Sequence, residues 1–421
     1  MMMQLTALGA MDEVGRSAFL VDTGVEKIVM DYGTKVRTTP IQFPIPVKGT
    51  PDAILLSHAH LDHSGGVPIF YANDHSVPIF GIEVTKELSE LLLNDSIKIS
   101  TEEGVHLPFN SSDLKETLRN FIPINYRKSF KLKKTEVTAF DAGHIPGSVM
   151  FLLEFSGKKL LYTGDFNTAD TKLLKGCDEK IPELDYLVTE STYADREHLN
   201  RKEQEKELNE VVNDTIGAGG VCVVSGFAVG RLQEIALVLN KLDVNCPIFM
   251  DGMTKTATTI INKWKKLLKN PDELDVALSK IKYVNSDNMR KKIVKKPCVI
   301  LTTSGMLTGG AVVQYIRRLY DDRKSSLLLT GYQLEDTPGK VLLETGRYIA
   351  KGMDLDMKMF IKRFDFSAHV GKTGLDDFIK KLNPKKIFCV HGDHTDEFAN
   401  QLREKGFDAV APVANNRVFT L

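Results

Sequence analysis

Short apolar runs closed by glycine or polar turns dominate the start of the chain. Residues 17–21, 27–30, 53–56 and 149–155 are of this kind and predict strands. Between 83 and 120 the spacing changes: Val84, Leu88, Leu91 and Leu92, then Leu114, Leu118 and Phe121, recur at helical intervals. From Asp195 to about Glu207 the chain turns charged and helix-forming (DREHLNRKEQEKE), which predicts the entry to an inserted region. Strand and helix then alternate. Strands are predicted over 221–225, 247–250, 299–302 and 326–329, and helices over 232–242, 254–268 (strongly basic) and 311–320. Such alternation builds a parallel sheet, which takes ligands at the carboxyl ends of its strands. β-type runs return towards the end of the chain, without internal repeats or low-complexity tracts.

Composition changes this picture little. At 421 residues, two domains with sizeable cores are expected, and 42% hydrophobic with 26% charged residues is ordinary for a globular protein. No apolar run approaches the roughly 18 residues a membrane span needs. The opening MMMQLTALGAMDEVG has no basic stretch leading into an apolar one, which points away from secretion. Five cysteines lie scattered without CxxC spacing, as expected of buried thiols in a reducing cytoplasm. Lys+Arg and Asp+Glu both number 55, so a nucleic-acid partner must be held by a local patch rather than by net charge.

The chemistry concentrates in Ser57-His58-Ala59-His60-Leu61-Asp62-His63-Ser64-Gly65-Gly66, directly after the apolar run 53–56. At strand spacing His58 and His60 point to one side, and Asp62 and His63 sit on the turn that follows. Three imidazoles and a carboxylate within six residues suit a borderline-soft divalent ion such as Zn²⁺. Four ligand candidates would crowd one tetrahedral ion, so two neighbouring ions are expected.

HxHxDH after an apolar strand resembles the signature of the metallo-β-lactamase superfamily. Asp141-Ala142-Gly143-His144-Ile145-Pro146-Gly147-Ser148 resembles its third motif, and Tyr162-Thr163-Gly164-Asp165 ends a strand where the family has a bridging carboxylate. Glu190-Ser191-Thr192-Tyr193, Phe366-Ser367-Ala368-His369 and Val390-His391-Gly392-Asp393 resemble motifs A, B and C of the β-CASP ribonucleases, which include RNase J and the archaeal cleavage-and-polyadenylation-factor nucleases. The turns Ser225–Arg231, 302–307 and Thr330-Gly331-Tyr332-Gln333 resemble the inserted domain of that family.

The resemblance implies an α/β fold: a metallo-β-lactamase αββα sandwich with an inserted parallel-sheet β-CASP domain. Its parts would be 1–196, the insert 197–360, and the returning sandwich 361–421. It implies two zinc ions per chain, one held by His58, His60 and His144, the other by Asp62, His63 and His391, with Asp165 bridging. Asp31, at the end of a predicted strand, would support the cluster from behind its ligands. Asp62 would serve chemistry as well as metal, and His369 paired with Glu190 would be the acid. Arg231, Ser304, Gly305 and Tyr332 would contact RNA phosphates.

Single-stranded RNA is then the expected substrate, cut internally or in the 5′-to-3′ direction to give 5′-phosphate and 3′-hydroxyl ends. The setting would be cytoplasmic, away from membranes, as a homodimer or within an RNA-processing complex. A small-molecule metallo-hydrolase and a non-catalytic RNA-binding subunit are the alternatives. The long insert speaks against the first and the intact ligand positions against the second. Departures from the pattern, such as Ala194, Ser225, Asp336 and Val370-Gly371, replace none of the expected ligands.

Overall fold

The computed structural model describes residues 3–35, 38, 40–73, 76–241, 244, 246–415 and 417–421. The chain divides into two compact units. Met1–Asp170, Gly176–Glu197 and His369–Leu421 form the first; Thr171–Lys175 with His198–Ala368 form the second.

Among the described residues, two seven-stranded sheets build the first unit. One runs from the last strand, Val418–Thr420, through Gln4–Ala7, Ala18–Asp22, Lys27–Tyr32, Ala53–Leu55 and Ile79–Gly81 to Phe121–Pro123. The other runs from Ala409–Val410 through Lys386–Val390, Tyr186–Glu190, Lys158–Tyr162, Val149–Phe155 and Glu136–Asp141 to Ser129–Lys131. Their inner faces meet where the rings of Phe19 and Tyr162 lie 5.4 Å apart. Helices cover the outsides. Ile69–Ala72 packs Phe70 and Tyr71 over Val29, Ile54 and Ile79. Lys372–Leu382 and Thr395–Glu404 pack Leu375, Phe378, Phe398 and Leu402 over Leu161, Leu187 and Ile387. This is the expected αββα order. The helical region 83–120 is two helices, Glu83–Glu103 and Ser111–Arg119. Gly104 ends the first with φ +68°, a conformation that costs glycine nothing, and Asn110 with Asp113 closes a capping box on the second.

The second unit is built on a sheet of six strands, all parallel: Ile281–Tyr283, Ile248–Asp251, Cys298–Thr302, Val221–Ser225, Ser326–Leu329 and Phe360–Arg363. Its central strands are apolar throughout because both faces are covered. Val221, Val223, Cys298, Ile300, Leu327 and Leu329 point into one core. Their neighbours Cys222, Val224, Val299, Leu301 and Leu328 point into the other. Each buried Val, Leu or Ile contributes about 1.5–3 kcal/mol. Helix Arg231–Lys241 stands where 232–242 was expected, and Leu242 lies outside the described residues. The basic helix expected over 254–268 stops at Lys263, and a separate 3-10 turn, Lys265–Leu267, follows. The second unit also reaches Ala368, past the expected boundary at 360. The reason is Phe360–Arg363, which adds to its sheet beside Ser326–Leu329.

Candidate active site

Every candidate metal ligand stands at or just beyond the end of a strand of the first unit, where a rigid sheet fixes it. Ala53–Leu55 delivers His58 and His60, and the short helix Leu61–Ser64 carries Asp62 and His63. That turn is pinned tightly: Ser17 N donates to Asp62 O at 2.8 Å. A Cβ on Gly33 would fall 1.7 Å from Asp62 O, so only glycine lets the two segments approach. His144 lies in the turn after Glu136–Asp141, its N–H donating to Ser148 Oγ at 3.1 Å. Asp165 follows Lys158–Tyr162, Glu190 ends Tyr186–Glu190, and His391 follows the adjacent parallel strand Lys386–Val390.

The ligand atoms gather as two groups that share one carboxylate: His58, His60, His144 and Asp165, then Asp62, His63, Asp165 and His391, with all atoms of a group within 4.8 Å. In the first group, His58 Nε2 lies 3.6 Å and His144 Nε2 3.8 Å from Asp165 Oδ2, and His144 Nε2 lies 3.2 Å from His60 Nδ1. In the second, His63 Nε2 lies 3.2 Å from Asp165 Oδ1, and His391 Nε2 lies 3.5 Å from Asp62 Oδ2. A tetrahedral ion with bonds of 2.0–2.1 Å sets its ligand atoms about 3.4 Å apart, so the spacings suit a divalent cation in each group. His58 Nε2 supports the fit: among the described residues it is buried and makes no hydrogen bond.

Electrostatics point the same way. Burial pushes His58 and His60 below the ordinary histidine range, towards the neutral form that can ligate. Burial also works against a charge on His63 and His391, but carboxylates outweigh it. Asp165 and Asp31 lift His63 well above its usual value, and Asp165 with Asp62 lifts His391 to about 10. Asp62 and Asp165, against their burial, are held low by the surrounding rings. Two ionised carboxylates among four buried rings and one half-buried ring make a strongly cation-attracting pocket.

Asp31 sits beneath this cluster, fully buried, in the left-handed region with φ +55°. Strain of that kind persists only where the surroundings over-determine it. Asp31 accepts from Ser57 N at 2.7 Å, Ser57 Oγ at 2.6 Å and Tyr162 OH at 2.6 Å, and pairs with His63 Nδ1 at 2.7 Å. A bond to Nδ1 turns Nε2 towards Asp165 and orients the ring. His391 is also left-handed, φ +50°, and is fixed by its N–H to Ala10 O and by Ser191 N to its own carbonyl. Ser57 and Tyr162 escaped the sequence reading. Their one signal is a hydroxyl in an otherwise apolar strand or strand end.

Beside the two groups, His369 Nδ1 lies 2.8 Å from Glu190 Oε2 and 3.9 Å from Asp165 Oδ2. Glu190 Oε1 accepts from Phe166 N at 2.7 Å, so the carboxylate is anchored at both ends. Burial disfavours a charged His369, yet Glu190 and Asp165 raise it above its ordinary range. The ring is one-fifth exposed, while Glu190 is buried: a proton carrier open on one side and held by a carboxylate on the other.

In the second unit the three glycine-bearing turns converge at the carboxyl ends of the strands. Ser225 Oγ donates to Ser304 O at 2.7 Å, and Gln333 Nε2 donates to Gly305 O, Gly331 O and Tyr332 O at 3.0–3.2 Å. Arg231 is brought to the same place but largely buried, with one guanidinium N–H donating to Thr330 O at 2.9 Å. It is thus partly committed to holding a turn. Gln333, which the sequence marks only as part of its turn, staples the turns together.

Fold and site together define a metallo-hydrolase. Residues 11–191 match the metallo-beta-lactamase superfamily domain, 232–342 the Beta-Casp domain and 354–412 the Zn-dependent metallo-hydrolase RNA specificity domain. The chain is 36% identical to "Probable RNase MJ4" of Methanocaldococcus jannaschii over 99% of its own length and 100% of the relative's. It is 33% identical to "RNase aCSPSF2" of Saccharolobus solfataricus, covering 97% of this chain and 83% of that one. It is 32% identical to "Transcription termination factor FttA" of Methanosarcina mazei, covering 93% and 67%. The crystal structure of a protein of unknown function from Enterococcus faecalis V583 shares the fold, with a TM-score of 0.66 over 100% of both chains at 15% identity. The chain belongs to the β-CASP ribonuclease family of the metallo-β-lactamase superfamily, whose members are metal-dependent hydrolases that act on RNA.

Proposed function

We propose that this chain hydrolyses phosphodiester bonds of single-stranded RNA with two zinc ions, cutting internally and in the 5′-to-3′ direction. The products are 5′-phosphate and 3′-hydroxyl ends. The observation that carries the reading is the pair of ligand groups sharing Asp165, with the His369–Glu190 pair beside them. His58, His60 and His144 would hold one ion, Asp62, His63 and His391 the other, and Asp165 both. A donor set of five imidazoles and two carboxylates favours zinc among common divalent ions. Two ions so held supply a polarised phosphate and a water of lowered pKa.

The chain's own residues do the rest. Asp31 and Ser57 keep His63 in one orientation, and Gly33 lets Asp62 and its carbonyl reach their place. Asp62 thereby serves the chemistry through the position it gives its carboxylate. Glu190 accepts from His369 Nδ1 and stabilises the protonated ring, so His369 can hand a proton to the departing ribose oxygen. The 5′-to-3′ direction rests on the resemblance of the motifs to those of RNase J.

Ser304, Gly305, Tyr332 and Arg231 would contact RNA phosphates at the carboxyl ends of the strands. All five cysteines are free thiols, and a reducing, cytoplasmic setting is part of this reading. Among the described residues no helix is long and apolar enough to cross a membrane. A homodimer or membership of an RNA-processing complex is compatible with this reading.

Mapping product ends from 5′- and 3′-labelled single-stranded RNA tests it. Internal cuts with 5′-phosphate ends, and mononucleotide release that a 5′ hairpin suppresses, are expected. Release from the 3′ end of the blocked substrate would overturn the direction.

A further inference from the structure

The basic stretch that begins at Thr254 has no part in the ligand groups or in the glycine-bearing turns. From Thr254 to Lys296 the chain carries twelve Lys or Arg against four Asp or Glu, a surplus of eight. Because the whole chain is balanced at 55 against 55, all other residues together carry the opposite surplus. The helix that sequence predicts here breaks at Trp264, the chain's one tryptophan, between Thr254–Lys263 and the turn Lys265–Leu267. Trp264 is half-buried at this corner, with Lys263 Nζ 5.4 Å from its ring centroid.

Topology gathers the other charges around the same edge of the sheet. Ile281–Tyr283 is the edge strand, pairing with Ile248–Asp251. Helix Thr254–Lys263 packs on one face, where Thr258 Oγ1 contacts Met250 Sδ, and Asp287–Ile293 packs on the other through Ile293. In a parallel sheet the residues just before a strand lie at its amino end. Lys280 precedes Ile281–Tyr283 and Lys295 and Lys296 precede Cys298–Thr302, while Lys266 follows a helix that has run back from its strand's carboxyl end. Five residues at about 3.3 Å each put this end roughly 16 Å from the glycine-bearing turns of the same unit.

The lysines are also available. Lys266, Lys280, Lys282, Lys292, Lys295 and Lys296 are exposed, and among the described residues none forms an ion pair. The pairs of this stretch use Lys265, Arg290 and Lys291 instead, with Asp275, Asp251 and Asp287.

We propose that this edge is an RNA exosite: the lysines follow the phosphates of a single strand and Trp264 stacks on one of its bases. The proposal rests on the reading of the chain as a ribonuclease for single-stranded RNA, and adds a second place where that RNA is held. Point charges on flexible stems with an aromatic platform are what single-strand binding uses. Lysine is depleted from protein interfaces, which disfavours an acidic protein as the occupant.

The test is the full chain carrying Lys266→Gln, Lys282→Gln, Lys295→Gln and Lys296→Gln together. In the unsubstituted protein, a single-stranded RNA of about 30 nucleotides should quench the fluorescence of Trp264. The variant should lose most of that quenching, and the slope of log affinity against log salt should shrink by about 2–3, near 0.7 per lost contact. Its KM for the same RNA should rise about tenfold or more with kcat unchanged, while an oligonucleotide of about three nucleotides, too short to span both places, should be cut as before. Unchanged quenching, slope and KM on the long RNA would overturn the exosite. So would quenching by an acidic peptide and not by RNA. Should the unsubstituted protein cut neither RNA, the ribonuclease reading falls, and the fluorescence titration still decides the exosite.

Discussion

The two units hold their functional groups in opposite ways. In the first, charged side chains gather at strand ends, and His63, His369 and Glu190 are each held by a named partner. Asp31 alone serves Ser57, Tyr162 and His63. In the second, the glycine-bearing turns offer backbone held by Ser225, Arg231 and Gln333, and the cations stand in solvent at the other end of the strands. A site that changes covalent bonds needs fixed geometry, whereas a surface that holds a moving polyanion needs charge and little else. Substitutions in the first unit should therefore alter metal content and turnover, and substitutions in the second should alter binding or stability alone.

The largest effect should come from His63→Ala. It removes a ligand and leaves Asp31 and Asp165 without their shared partner, so at least one metal ion is lost and cleavage falls roughly 10⁴-fold or more. Metal analysis with turnover measured on the same sample checks this, and full activity in metal-free protein would sink the two-metal reading. His369→Ala should come next: turnover lower by roughly 10²–10⁴-fold with metal content unchanged. Loss of metal in that variant would mean that a ligand has been mistaken for an acid.

A smaller effect is expected of Tyr162→Phe. The phenol donates to Asp31 Oδ2, which also meets His63 Nδ1, so its loss loosens the ring rather than removing it. Metal affinity should drop about 10–100-fold for the ion held by Asp62, His63 and His391, with the other ion retained. Equal loss of both ions would count against this route.

The smallest effect belongs to the second unit. Asp365 lies 3.0 Å from His198 Nδ1 and accepts from Leu199 N and Ser367 N. Burial opposes its charge, but these partners hold its carboxyl down to about 2. A carboxylate with a lowered folded-state pKa stabilises above its unfolded value near 3.9 and loses that stabilisation as pH falls towards 2. Asp365→Asn should cost about 1–2 kcal/mol at neutral pH, and the difference from the parent should vanish between about pH 4 and pH 2. Denaturant unfolding across that range measures it. Altered metal content in Asp365→Asn would break the contrast between the units.

What the sequence made legible follows the same division. His58, His60, Asp62 and His63 could be read from residues alone because a strand and its turn bring them together locally. Glu190 and His369 are 179 positions apart, so only likeness to a family joined them. Ser57 and Tyr162 were missed because a hydroxyl carries no motif: Asp31 meets Ser57 from the neighbouring strand of one sheet, and Tyr162 only through the packing of two sheets. Alternation showed the central strands of the second unit because covered faces leave apolar runs. Its last strand, Phe360–Arg363, is partly exposed and charged, and so looked like the start of the returning sandwich. The break at Trp264 was hidden because lysines and leucines on either side keep helical spacing through the corner.

Strands Tyr186–Glu190 and Lys386–Val390 are parallel neighbours in one sheet, joined by a connection that contains helix Lys372–Leu382. Without residues 198–368 that connection would be an ordinary strand–helix–strand crossover, complete in itself. Apart from Thr171–Lys175, the second unit is thus a passenger in a single loop, bringing its own sheet and cores. An ancestral sandwich could have acquired it in one genetic event without re-pairing a strand.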